Sequence, residues 1–238
     1  AMVAMIRWRG LGSRLYAATA LVLGCASTLF SYSRGGWLGI VASVGVMLLL
    51  LLLRYIRHWP AFWRRILPLA LLVVTGVVLA FAATQVEPIR TRVASLLAGR
   101  GDSSNNFRIN VWLAAIDMIQ DRPWLGIGPG NAAFNSVYPL YQQPKFNALS
   151  AYSVPLELLV ETGIPGLLAC LGLGVASLRN GWRALTAESE LALPCLGCLA
   201  AIAGLLTQGA ADTIFFRPEV QISGWFCLAT LSQMHRNP

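Results

Sequence analysis

Hydrophobic residues run through this chain in long blocks, and charged residues mark where each block ends. Charge-free runs occupy 15–33, 35–53, 66–86, 162–178, 191–211 and 220–235. An ionised side chain costs about 2.5 to 3.5 kcal/mol at the centre of a membrane helix. About 20 helical residues cross the ~30 Å of hydrocarbon. The runs therefore predict about six transmembrane helices. A further run, 123–144, holds Pro123, Pro129, Pro139 and Pro144 with Gly126, Gly128 and Gly130 among them. Breakers at that density leave no expectation of a helix there. The expected fold class is all-α, a single polytopic membrane domain over 1–238 with a long loop at 87–154.

Composition agrees with the pattern. Of the 238 residues, 56% are hydrophobic and 12% charged, with mean hydropathy +0.62. Average soluble domains carry about 25% charged residues, so an ordinary cytosolic domain is excluded. Disorder is excluded too, because it needs low hydrophobicity and high charge.

Lys and Arg then orient the spans. Arg7, Arg9, Arg14, Arg54, Arg57, Arg64, Arg65, Arg179, Arg183 and Arg236 fall in short segments on one side. Only Arg34 and Arg217 fall in short segments on the other. The positive-inside rule weighs short loops and discounts long ones. Both termini are therefore expected to be cytoplasmic and the 87–154 loop extracytoplasmic. The net charge of +8 reads as this topology signal rather than as a nucleic-acid surface.

The cysteines and histidines carry little chemistry. All five cysteines, Cys25, Cys170, Cys195, Cys198 and Cys227, lie within the expected spans. Cys195 and Cys198 form C-x-x-C, but in the apolar setting "LPCLGCLAA" they read as packing residues, since a redox pair needs an electropositive one. No metal-ligand spacing occurs, and the two histidines, His58 and His235, map to the cytoplasmic side. A secreted disulfide scaffold does not fit these numbers.

Chemistry is expected in the outer loop. "FRINVWLAAIDMIQ" reads as an amphipathic helix, with Phe107, Val111, Ala115 and Ile119 on one stripe flanked by Trp112 and Ile116. Ser104 and Asn105 can cap its start, and Pro123 ends it. Such a helix is expected on the membrane surface or across the bundle mouth. "PWLGIGPGN" alternates Gly126, Gly128 and Gly130, but no strand precedes it and Pro129 lacks an amide donor. A shaped turn fits better than a dinucleotide-binding loop. Tyr138 and Tyr141 suit a membrane interface belt. Ser153 and Pro155 fit a helix start, Glu157 and Glu161 lie one turn apart, and Gly163-Ile164-Pro165-Gly166 breaks that helix before the fourth span.

Arg34 is the only charge between the first two spans, at the hydrocarbon edge, where a charge is kept if it pairs or binds an anion. Arg108 sits in the expected first turn of the loop helix, where a cation opposes the macrodipole. Asp212 and Arg217 bracket the outer end of the fifth span. These arginines are expected around one outer pocket, an arrangement suited to phosphate or carboxylate.

"SYSRGGWLGI", "FRINVWLAAIDMIQDRPWLGIGPGN" and "LELLVETGIPGLL", in this order, resemble the O-antigen ligase and polymerase superfamily of integral membrane proteins. The loop from "GRGDSSNNF" through "VYPLYQQPKFNALSAYSVPLE" is similar to its cyanobacterial branch, described as inorganic-carbon (bicarbonate) transporters. Full members have roughly twice this length, so the chain resembles a C-terminal half, with further N-terminal spans expected before it. The resemblance implies residence in the bacterial plasma (inner) membrane among membrane lipids. It also implies glycan transfer from a polyprenyl-pyrophosphate carrier on the outer face, with no metal, nucleotide or other cofactor. Arginines of its "SRGG" and "R-x-x-x-W" motifs, matched by Arg34 and Arg108, are taken to bind the pyrophosphate.

A histidine in the family's "H-N-x-x-L-x-x-x-x-E-T-G" motif is taken to activate the acceptor. Counting back from Glu161 places Tyr152 at that histidine and Ser153 at the asparagine. Tyrosine, with a pKa near 10, is a poor general base at neutral pH. Three readings stay open: a metal-independent glycosyl transferase or its degenerate relative, a bicarbonate transporter or accessory protein of its uptake, and a non-catalytic membrane scaffold. Tyr152, Arg34 and Arg108 are the candidate site residues, with Glu161, Asp212 and Arg217 in support.

Overall fold

In a computed structural model of the protein, the described residues are 10–31, 33–56 and 103–236, with isolated positions 3, 60, 62, 66 and 101. The expected span 66–86 and the loop's opening segment 87–100 lie outside them, apart from position 66. Among the described residues all regular structure is helical. The helices are α1 (Leu11–Phe30), α2 (Arg34–Tyr55), α3 (Ser103–Asp121), α4 (Asn131–Val137), α5 (Val154–Thr186), α6 (Ala192–Gly209) and α7 (Pro218–Arg236). Short 3-10 turns follow at Tyr138–Leu140 and Ile214–Phe216.

Three of these helices, α2, α5 and α6, are long and apolar enough to cross a membrane. The expected spans 15–33 and 220–235 fall largely on α1 and α7. Along α5, Leu168, Leu171, Val175, Leu178 and Trp182 are all exposed. Their alternating spacing of three and four residues makes one apolar stripe. In water such a stripe would be an aggregation liability; in a bilayer it faces lipid.

The chain divides into two compact units. The first comprises residues 1–60, 173–208 and 215–238. The Ser33 hydroxyl caps α2 by accepting from the Gly36 amide at 3.2 Å, and Trp37 Nε1 donates to the Thr28 carbonyl at 3.1 Å. These bonds set the α1–α2 hairpin. Helices α2 and α6 meet backbone to backbone at Gly39 and Gly204. A Cβ on Gly204 would lie 2.8 Å from the Gly39 carbonyl oxygen. Membrane helices lack a hydrophobic force between them and use such small residues to approach closely. The cysteines do pack: Cys195, Cys198 and Cys227 join Leu196, Leu199 and Leu231 in the buried cluster of this unit. Arg54 donates to the Ala184 and Leu185 carbonyls at 2.8 and 3.1 Å, satisfying acceptors near the end of α5.

The second unit comprises residues 61–172 and 209–214. Its core gathers Val111, Ala114, Ala115 and Met118 of α3 with Phe134, Tyr138, Ala148, Ala151 and Val160. Four details differ from the sequence expectations. Helix α3 starts at Ser103, so Ser104 and Asn105 lie inside it and Arg108 falls in its second turn. Its buried face turns toward Ala114 and Met118, leaving Ile116 exposed, because the partner of this helix is the unit's own core. A short helix, α4, forms within the proline-rich run 123–144, fitting between Pro129 and Pro139. Tyr138 is core, not interface: it is 1% exposed, stacks on Phe134 at 5.1 Å and donates to the Phe146 carbonyl at 2.6 Å. Burying a phenol requires such a partner, and the 144–146 turn supplies one.

Candidate functional site

The site of the second unit is organised by a break in α5. Gly163 has φ 66 and ψ −165, and Pro165 has no amide to donate. The Val160 and Glu161 carbonyls thereby lose their helical donors. Two amides of the glycine turn replace them: Ile127 N donates to Val160 O at 2.8 Å and Gly128 N to Glu161 O at 3.1 Å. In return Ile164 N donates to Pro123 O at 2.9 Å. Buried backbone groups need such partners, so "PWLGIGPGN" and "ETGIPG" form one hydrogen-bonded strap. A Cβ on Gly126 would strike the Val160–Glu161 backbone, and one on Gly163 the backbone of Trp124. The Ile127 and Gly128 amides are thus engaged by the protein itself rather than offered to a phosphate.

Tyr152 stands in the turn leading into α5, with φ 49, rare for a non-glycine residue. Its carbonyl accepts from Trp112 Nε1 at 3.4 Å, and its ring meets Phe107 edge-on at 5.6 Å. Both partners lie on α3, so this turn rests on the helix that carries Arg108. Arg108 is half-buried, and among the described residues nothing hydrogen-bonds or pairs with its guanidinium. Ser150 and Thr213 share a hydroxyl hydrogen bond of 2.7 Å, and the Asp212 carboxylate accepts from the Thr213 amide at 2.9 Å.

Two acids are buried beside the strap. Glu157 is 2% and Glu161 4% exposed. Glu157 Oε2 accepts from the Ala151 amide in a short hydrogen bond. The Gly130 amide serves the Glu161 carboxylate, while Glu161 Oε1 is buried with no hydrogen-bond partner among the described residues. Both acids precede the Gly163 break, on the loop side of the charge-free stretch 162–178. Burial pushes the Glu157 carboxyl up to about 7; the Ala151 amide pulls it down, and the Glu161 charge pushes it up again. Glu157 was not among the sequence candidates. Its signal was the spacing of two acids one turn apart in the otherwise apolar "LELLVE".

The structure places Tyr152, Arg108, Glu161 and Asp212 in the second unit, and Arg34 and Arg217 in the first. Arg34 is half-buried and opens α2 directly after its Ser33 cap. Arg217 is exposed just before α7, and its carbonyl accepts from Val220 N and Gln221 N, both at 3.0 Å. Among the described residues no three His, Cys, Asp or Glu side chains gather as a metal site.

Among the described residues all regular structure is helical and three helices are long and apolar enough to cross a membrane, which defines an integral membrane protein. The pattern of the family described as O-antigen ligase matches residues 19–171, and the chain belongs to that family. No individual curated protein matches the chain.

Proposed function

We propose that this protein binds a lipid-linked pyrophosphate at the outer face of the bacterial inner membrane, with Arg34 and Arg108 as the anion-binding residues. The observation that carries this reading is the family match over 19–171, which includes Arg34, Arg108, Tyr152 and Glu161. Supporting it, Arg108 is half-buried and has no hydrogen-bond or ion-pair partner among the described residues, and Arg34 stands at a helix N-terminus, where backbone amides already favour an anion. A guanidinium offers a planar fork of donors to phosphate oxygens. The first unit adds an apolar cavity of about 650 Å³ lined by Ala20, Gly24, Val44, Met47, Ala200 and Phe226, suited to part of a polyprenyl chain.

In glycan transfer the acceptor hydroxyl attacks the anomeric carbon, the pyrophosphate leaves with the bonding electrons, and a base takes the hydroxyl proton. Arginines stabilise the departing charge. A tyrosine at the position of the family's histidine is a poor general base, so we assign binding to this chain ahead of turnover.

The test is binding of a polyprenyl-pyrophosphate to the purified full chain in lipid nanodiscs. Arg108→Ala is expected to weaken binding about tenfold or more, since a charged hydrogen bond contributes ~1.5–3 kcal/mol. Unchanged affinity in both Arg108→Ala and Arg34→Ala would overturn the assignment.

A second reading, transport or support of bicarbonate uptake, is favoured by Tyr152 at the histidine position and by the broken helix α5, a device of carrier proteins. Proteoliposomes with no bicarbonate flux above empty vesicles would remove it.

A further inference from the structure

Neither reading above assigns a chemical role to the buried acids of α5. Glu157 and Glu161 lie one helical turn apart, where side chains on one face are neighbours. Each reaches one backbone amide, Ala151 and Gly130 respectively, and Glu161 Oε1 meets no hydrogen-bond partner among the described residues. Two ionised carboxylates in that position would repel each other and lack the donors needed to replace water.

Among the described residues, the elements packed around them offer no cation. Helix α3 turns Asn110, Val111, Ala114, Ala115 and Met118 inward, while its Asp117 and Asp121 are exposed and Arg108 is half-buried. The surrounding cluster contributes Tyr138, Tyr141 and Tyr152 as its titratable side chains. Burial raises the Tyr138 phenol further, followed by the effect of Tyr152, so Tyr138 carries no charge at neutral pH. The charged group acting on Glu157 is Glu161.

We propose that Glu157 and Glu161 form a proton-binding site, holding one proton between them as a neutral carboxyl beside a carboxylate. The chemistry is reversible protonation alone: the carboxylate lone pair takes a proton from water and returns it. Occupancy is transmitted to the two turns the acids anchor, 150–153 through Ala151 and 123–130 through Gly130. The first of these carries Tyr152. The site does not depend on the pyrophosphate reading.

Infrared difference spectra of the full chain in nanodiscs, titrated with pH, test the site. A protonated carboxyl band is expected to persist well above the ordinary glutamate pKa of about 4.3 and to disappear around pH 7. Glu157→Gln, which keeps an acceptor for the Ala151 amide, is expected to abolish that band with the helical circular dichroism intact. Glu161→Gln removes the like charge and is expected to move the midpoint to lower pH. A band that survives Glu157→Gln, or a midpoint unmoved by Glu161→Gln, overturns the proposal. So does a midpoint that shifts when sodium replaces choline at constant ionic strength, which would make the pair a metal-cation site. Loss of pyrophosphate binding with the titration unchanged would leave this site standing and remove only the earlier reading.

Discussion

Gly126 and Gly128 both have positive φ, 63 and 104, but only Gly126 lies against another backbone. A side chain at Gly128 meets nothing within 4 Å. Gly126→Ala therefore carries both the left-handed penalty and a clash, for an expected loss of about 2 kcal/mol or more. Gly128→Ala carries the conformational penalty alone. Thermal unfolding in detergent should rank Gly126→Ala below Gly128→Ala; equal melting temperatures would contradict the strap geometry. Glu157 gives a second residue-scale expectation. Its carboxyl rises from an ordinary 4.5 to about 7 on folding, so the native state binds the proton more tightly than the unfolded chain. By linkage this contribution to stability is complete below the unfolded value, is lost as pH rises through the folded one, and levels off above it. Melting temperatures measured between about pH 5 and about pH 8 should decline in the native protein and flatten in Glu157→Gln. A native profile already flat would refute the shift.

Among the elements, the α2–α6 contact depends on the absence of side chains. On Gly204 a Cβ would sit 2.8 Å from the Gly39 carbonyl oxygen and 2.9 Å from Ser43 Cβ. Gly204→Ala must separate the helices and is expected to cost ~1–3 kcal/mol. Gly45→Ala, also on α2 but with nothing within 4 Å, should be neutral or stabilising by up to about 1 kcal/mol. Equal effects on melting temperature would rule out close packing there. Helix α5 shows the opposite use of breakers. Gly163 and Pro165 were legible as a break, but not the consequence: the orphaned carbonyls accept from Ile127 and Gly128, remote in the chain. Local sequence signals where a helix loses its bonds. It carries no direct record of which distant amide replaces them.

For the whole molecule, the scarcity of charge and its placement were enough to read a helical membrane protein, because the cost of burying charge in hydrocarbon depends on composition and order alone. The family could be read from motifs that survive as linear strings, and residues 19–171 match it. Helix α3 was legible from its period, yet its start, its buried face and the burial of Tyr138 were not, since each depends on which surface lies opposite. The same holds for Glu157. Spacing placed it one turn from Glu161, but its burial, its bond to the Ala151 amide and the resulting hold on its proton arise only when α3, the 123–130 turn and the 150–153 turn close around it. Hydrophobic patterning is a property of the chain in order. Desolvation and hydrogen-bond satisfaction are properties of neighbours, and the tertiary structure alone decides who those neighbours are.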